Sequence, residues 1–282
     1  MSPRRYSRLS KRGKTAILMD ADQDMTSFVE MTAWLSALSL SVPNIIAEFR
    51  MDGLVLLEDF GNTSVKTAIQ NDPTLQDDAF EYCLDALLHI RHAVPPSLSC
   101  PSAQDLVAWT DLVDTHLPNV DSRGLYPFRE VLERALTEIL TSTPTTSLRD
   151  FHSENMMWLP DRDTYRKLGL LDYQDAFLTH YAYDLVSLLT DARTWIPRPL
   201  REETIERYLA RTGDTRSEFS LAFSALSAQR NLRILGIFAR AGRFGPYMRN
   251  TFRYFVEALE HPVFSSVREQ TLQALPSELG DA

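Results

Sequence analysis

DFHSENMMWLPDRD (150–163) runs on into LGLLDYQDA (168–176), and the rest of the chain is read outward from these two stretches. The apolar runs MMWL and LGLL, separated by the polar residues 160–167, have the character and length of a β-hairpin. Asp150 opens the first stretch, Asn155 lies five residues on, just before the first strand, and Asp172 closes the second strand. A hairpin returns its second strand beside its first, so this spacing brings all three oxygen-bearing side chains to one end. Such a set suits phosphoryl transfer. One carboxylate receives or orients a hydroxyl proton, while an amide and a second carboxylate serve as hard oxygen ligands for magnesium. Turn and cap chemistry also uses Asp and Asn and accounts for each residue taken singly; the DxxxxN and LLD spacing together favour the functional reading.

Around this hairpin the pattern is helical, with amphipathic stretches near 76–93, 104–117, 127–141, 181–193, 202–212, 217–241 and 249–260. The start of the chain differs. Tyr6, Arg8 and Ser10 alternate with Ser7 and Leu9, Gly13 breaks the run and an apolar stretch resumes to Met19, a hairpin pattern. Phe28, Met31, Thr32, Trp34, Leu35 and Leu38 then recur at helical spacing before Pro43, and 45–49 and 54–57 read as two further strands. The expected organisation is a small sheet lobe over 1–60 and a helical lobe over 61–282, with a cleft between two unequal lobes.

With 282 residues, 44% of them hydrophobic and 24% charged, the chain can bury a globular core, which excludes disordered and fibrous classes. The net charge of −9 argues against non-specific nucleic-acid binding, which needs a basic face. Arg4, Arg5, Arg8, Lys11, Arg12 and Lys14 nevertheless make the first residues a basic island on an acidic body. A basic hairpin suits a polyanion such as nucleotide phosphates, and a solvated terminus accounts for it as well. Cys83 and Cys100 cannot build a disulfide framework or a four-cysteine zinc site, and no stretch reaches the ~20 apolar residues of a membrane span. The basic, acid-free start also fits an organelle transit segment, against which its β-like alternation stands. The expectation is a cytoplasmic protein with a small-molecule substrate; the sequence sets no oligomeric state.

DFHSENMMWLPDRD, LGLLDYQDA and AYDLVSLLTDAR (182–193) together resemble the catalytic core of the aminoglycoside phosphotransferase family, a branch of the protein-kinase-like fold. RRYSRL (4–9), ILMDAD (17–22), LVLLEDFGN (54–62) and AQRNLRILGIFAR (228–240) resemble more narrowly the branch holding the anomeric N-acetylmuramate and N-acetylglucosamine kinases of cell-wall recycling. The likeness spans about residues 2–275. It implies an α+β, two-lobed protein-kinase-like fold and an ATP- and Mg2+-dependent kinase acting on a hydroxyl. The favoured acceptor is the anomeric hydroxyl of an amino sugar. A same-family kinase for an aminoglycoside or a choline-like alcohol, and a catalytically weak nucleotide-binding or scaffolding protein, stand as alternatives.

By this resemblance Asp150 is the catalytic base and Asn155 and Asp172 hold magnesium. Asp184 buttresses the catalytic loop, and backbone groups around Leu57 and Glu58 receive adenine. Asp175 matches a recurrent acid, in metal contact or one hydrogen bond behind it. His152 and Glu154 either bond a sugar hydroxyl or brace the loop. Arg230, with Gln229 and Asn231, either contacts the acceptor or is helix-surface polarity. The four tryptophans, Trp34, Trp109, Trp158 and Trp195, are read as packing rather than sugar-stacking groups.

The sequence also departs from the pattern. Leu148, Arg149 and Asp150 stand where the family has HGD, so the bracing histidine is missing and bracing must come from elsewhere. Met19 lies near the place of the phosphate-binding lysine, with Lys14 and Arg5 close by, which leaves Glu30 without an assured partner. There is no GxxxxGK or GxGxxG. The turn at residues 2–5, with Ser2 and the guanidinium groups of Arg4 and Arg5, is expected to hold the triphosphate. Relatives carry a further strand and helix upstream, so the expectation is either a truncated start or a reduced small lobe. His89 and His92, and the acids Asp20, Asp22 and Asp24, are read as solvated groups rather than metal ligands.

Overall fold

The computed structural model describes residues 4–21, 25–242 and 245–281. In chain order the elements begin β1 (Arg5–Lys11), β2 (Lys14–Asp20), α1 (Thr26–Ala37), β3 (Ile45–Phe49), β4 (Leu54–Glu58), α2 (Val65–Asn71) and α3 (Gln76–His92). They continue α4 (Ala103–Ala108), α5 (Leu112–His116), α6 (Tyr126–Ile139), β5 (Thr145–Ser147), β6 (Met156–Trp158), β7 (Leu168–Leu170) and β8 (Phe177–Thr179). The short helix α7 (Tyr183–Leu189) and the longer α8 (Arg198–Thr212), α9 (Arg216–Arg240) and α10 (Pro246–Ala258) follow. Ser2, Pro3, Asp22 and Asp24, named above, lie outside the described residues.

The N-terminal hairpin closes through Arg12 (φ 53°) and Gly13 (φ 77°), the two positive φ values of a turn whose twist matches its strands. β1, β2, β4 and β3 form an antiparallel sheet in that order. Directly opposed residues share a face, so Arg8, Ile17 and Leu57 form one row across three strands, and Tyr6, Met19 and Val55 a second. α1 buries Phe28, Met31, Thr32 and Leu35, one stripe at helical spacing. It ends well before Pro43. Ser39 takes φ 61° while Leu40 N–H donates to Leu35 O at 3.2 Å, a left-handed cap that satisfies the last carbonyls without glycine.

Packing groups the chain into two compact units: residues up to Ser97 with Leu148–Ala176, and Leu98–Ser147 with Phe177–Ala282. Hydrogen bonds explain why the β6–β7 hairpin belongs with the sheet rather than with the helices that flank it in sequence. Trp158 N–H donates to Thr63 O at 2.8 Å on one edge of the hairpin, and Leu170 N–H to Ser41 O at 2.7 Å on the other. Gly169 at its centre has no room for a Cβ, which would lie 2.6 Å from the Phe60 ring. α3 covers it, stacking Tyr82 on Trp158 at 6.3 Å and setting His89 against Tyr165 at 4.4 Å.

In the second unit β5 and β8 pair antiparallel, Thr145 with Thr179 and Ser147 with Phe177. The chain therefore leaves and re-enters this unit through one pair of strands. α9 runs through the unit's core, where Gln229, Arg230 and Asn231 are buried. This corrects the surface-polarity reading of those residues. Gln229 Nε2 donates to Leu106 O at 2.7 Å and Asn231 Nδ2 to Ser227 O at 2.9 Å, so they are internal hydrogen-bonding groups. α9 approaches α5 so closely at Gly236 that a Cβ there would lie 2.6 Å from a backbone carbon of Leu112. Gly236→Ala is therefore expected to destabilise the protein by about 1–3 kcal/mol, at the upper end because the obstructing atoms are backbone. Urea denaturation measures it, and an unshifted midpoint would show that the two helices can part.

Candidate active site

A cavity of about 450 Å³ lies within the first unit. Ile17, Leu57, Phe28, Met157 and Leu171 give it apolar walls, and Arg8, Glu58, Asp59, Asn155 and Asp172 are its polar lining. The walls follow from strand periodicity: Ile17 and Leu57 share a sheet row, and Phe28 is stacked on Tyr173 at 5.4 Å, whose hydroxyl is hydrogen-bonded to that of Thr32 at 2.7 Å. A pocket of this size and lining accepts a flat, mostly apolar ring with a charged tail.

The hairpin sets Asn155 and Asp172. Leu171 N–H donates to Asn155 O at 2.9 Å, so the two strands are still bonded where they reach Asn155, and Asp172 comes next. Asn155 Nδ2 donates to the backbone carbonyl of Asp150 at 3.0 Å, which ties the loop's first residue to its last. Asp172 holds φ 58°, a left-handed conformation, and accepts a hydrogen bond from Gln174 Nε2 at 2.7 Å. Asp150 follows Arg149, another left-handed residue (φ 72°), and its N–H donates to Leu148 O at 2.9 Å. Asp150 itself is half-buried and does not line the cavity.

The chain matches the phosphotransferase enzyme family over residues 1–220. It belongs to that family. Among its relatives is an N-acetylmuramate/N-acetylglucosamine kinase of Caulobacter vibrioides, 31% identical over 244 residues, covering 81% of this chain and 67% of the relative. A kinase of the same name from Pseudomonas aeruginosa is 25% identical, covering 84% and 73%. Two solved structures share the fold at 13% identity: an aminoglycoside phosphotransferase with a TM-score of 0.67, covering 93% of this chain and 92% of that one, and a choline kinase from Streptococcus pneumoniae at 0.65, covering 93% and 89%. The fold is thus protein-kinase-like, with a small antiparallel sheet at the N-terminal side and a largely helical remainder. The enzyme is an ATP-dependent phosphotransferase with an alcohol group as acceptor.

In this phosphotransferase the loop is braced without the missing histidine. Leu148 is buried in its place. Lys66 Nζ bonds Glu154 Oε1 at 2.7 Å and Lys66 N–H donates to Ser153 O at 3.2 Å, so α2 grips the loop from the side. His152 is only 2% exposed. Glu154 is engaged by Lys66 at the side of the loop. Asp184 is buried at the start of α7 and accepts a hydrogen bond from Ser147 Oγ at 2.7 Å, fixing the strand that leads to Leu148. Arg230 lies buried in α9, in the other unit. Among the described residues no group of three or more His, Cys, Asp or Glu is placed to hold a metal ion by itself.

On the sheet side, Met19 is fully buried and Glu30 exposed, so no lysine–glutamate clamp forms between these positions. Arg5 faces away from Tyr6 and pairs with Asp20 at 2.8 Å, an exposed and hence weak ion pair. Glu58 N–H donates to Asn44 O at 2.9 Å, and its carboxylate accepts from Asn44 Nδ2 and from Arg162 Nη2, each at 2.6 Å. Leu57 lines the cavity with its side chain. Asp175 is exposed, and with Asp172 it acts on Tyr6. Burial pushes the Tyr6 phenol up, Arg4 draws it down, and the two carboxylates add to the rise.

Sequence reading missed Lys66 and the role of Arg8. The latter reaches from β1 to Asp59, whose carboxyl lies below its ordinary range: burial raises it, but the Gly61 N–H, Arg8 and Thr15 outweigh that. The strand alternation that sets Tyr6 and Arg8 on one face was the available signal.

Proposed function

We propose that this phosphotransferase moves the γ-phosphoryl group of ATP, with magnesium, to the anomeric hydroxyl of an amino sugar, N-acetylmuramate or N-acetylglucosamine, in the cytoplasm. The observation that carries the nucleotide part is the junction of Asn155 and Asp172 in the lining of one mostly apolar cavity. The acceptor rests on the relatives named for those two sugars. Residues 1–60 would supply the base and phosphate contacts, Arg4 among them but not Arg5, which lies on the other face of β1 and pairs with Asp20, and 61–282 the catalytic and acceptor groups.

The donor set fits magnesium. Asn155 commits its amide nitrogen to the Asp150 carbonyl, which leaves its oxygen as the acceptor, and Asp172 brings a carboxylate. Magnesium takes few protein ligands and fills its shell with phosphate and water, so two hard oxygens suffice. When bound, the ion supplies charge neutralisation for the β- and γ-phosphate oxygens. Asp150 orients the attacking hydroxyl and accepts its proton as the new oxygen–phosphorus bond forms and the bond from the γ-phosphorus to the bridging oxygen breaks, releasing ADP. The apolar walls hold the base and exclude water. Positioning alone supplies up to roughly 7–11 kcal/mol of barrier lowering in such reactions.

The test offers Mg–ATP with a panel of acceptors: both free sugars, their 1-O-methyl glycosides, choline and an aminoglycoside. Turnover of the free sugars and none of the blocked glycosides is expected. Equal turnover of the glycosides would move the reaction off the anomeric oxygen. Faster turnover of choline or the aminoglycoside would replace the acceptor.

A further inference from the structure

β1 is an outer strand of its sheet, and all seven of its residues are exposed. Hydrogen bonds to β2 hold it, with little apolar burial to add. Its cross-tie is Arg8. The Nε of Arg8 sits 2.7 Å from Asp59 Oδ2, and Nη2 donates to Asp59 Oδ1 at 2.9 Å and to Gly61 O at 2.8 Å, while Nη1 donates to the Asn62 side-chain oxygen. The Asp59 side chain is only 5% exposed, so this guanidinium neutralises a carboxylate that solvent hardly reaches. Arg8 also lines the cavity, two residues along the strand from Tyr6, and its partner across the sheet is Ile17 of the apolar wall.

We propose that Arg8 is a positioning residue for the nucleotide: by tying β1 to residues 59–62 it fixes the strand that carries Tyr6 along one side of the cavity. This rests on reading that cavity as the ATP site. A guanidinium offers five N–H donors in a rigid fork, and here four of the five meet protein acceptors. Arg8 therefore acts through the strand it anchors, not as a triphosphate ligand. Lysine, a single point charge, cannot reproduce the fork.

Steady-state kinetics and thermal melts on Arg8→Ala, Arg8→Lys and the double variant Arg8→Ala/Asp59→Ala separate positioning from mere charge neutralisation. The KM for ATP is expected to rise about tenfold in Arg8→Ala, with kcat and the acceptor KM within about threefold of wild type and Arg8→Lys in between. In the double variant the buried charge is gone, so the melting temperature should recover while the ATP KM stays raised. An ATP KM that returns to the wild-type value in the double variant would overturn the proposal, because Arg8 would then only neutralise Asp59. Equal rises in the ATP and acceptor KM would overturn it too. Failure of the wild-type protein to bind ATP would instead defeat the nucleotide reading itself.

Discussion

Asp150→Ala is expected to lower kcat by at least about 100-fold with little change in the affinity for ATP. The reason lies in where Asp150 sits. It does not line the cavity, and the carbonyl that accepts from Asn155 belongs to its backbone, so on the proposed reading the nucleotide contacts survive its truncation. On the proposed mechanism, what is lost is the carboxylate that orients and deprotonates the acceptor. The left-handed Arg149 just before it (φ 72°) and the Lys66–Glu154 pair beyond it are untouched by the substitution, so the loop should keep its course. Single-turnover assays with saturating ATP measure the effect. A loss below about threefold would remove Asp150 from the catalytic role.

Asp172→Asn should abolish magnesium-dependent ATP binding, lowering the affinity for Mg–ATP by about 100-fold or more, beyond the 10–100-fold seen when only a supporting residue is lost. Asparagine matches aspartate in size and tolerates the left-handed backbone that Asp172 holds at φ 58°, so the chain should fold as before. Its amide oxygen can still accept from Gln174 Nε2, the bond the carboxylate makes at 2.7 Å. The variant therefore removes charge and little else. Calorimetric titration of ATP with and without magnesium reads it directly, and an undiminished magnesium effect would take Asp172 out of the ligand set.

Much of this architecture is legible in the sequence because it is written in local periodicity. The alternation of residues 6–10, the stripe Phe28–Met31–Leu35 and the apolar runs of β6 and β7 each report a single element with its own pattern. Asn155 and Asp172 meet because hairpin geometry converts a spacing along the chain into a proximity in space. What was illegible is non-local. β5 and β8 are three-residue strands, and nothing within Thr145–Ser147 announces Phe177–Thr179 as its partner. α2 is one short capped helix, with Ser64 Oγ accepting from Thr67 N–H at 3.1 Å, too brief to show a stripe. Its Lys66 meets Glu154 across 88 residues of sequence. Arg8 and Asp59 are likewise 51 residues apart, and a charge count shows only a basic start. Of the two readings of the polar run on α9, the surface one fails because charged and amide side chains signal surface unless buried partners are known, and the partner of Gln229 lies 123 residues away in the chain.

The bonds from Trp158 to Thr63 and from Leu170 to Ser41 have a last consequence, for how heat inactivates the enzyme. They make the β6–β7 ribbon a cooperative part of the sheet-bearing unit, so its amide hydrogens exchange when that unit opens rather than by fraying at the ribbon's ends. Helical ellipticity is dominated by the many-helix unit, whereas the proposed nucleotide cavity lies within the other. Activity and circular dichroism followed through one melt therefore report on different parts of the molecule, and a single midpoint should not be drawn through both.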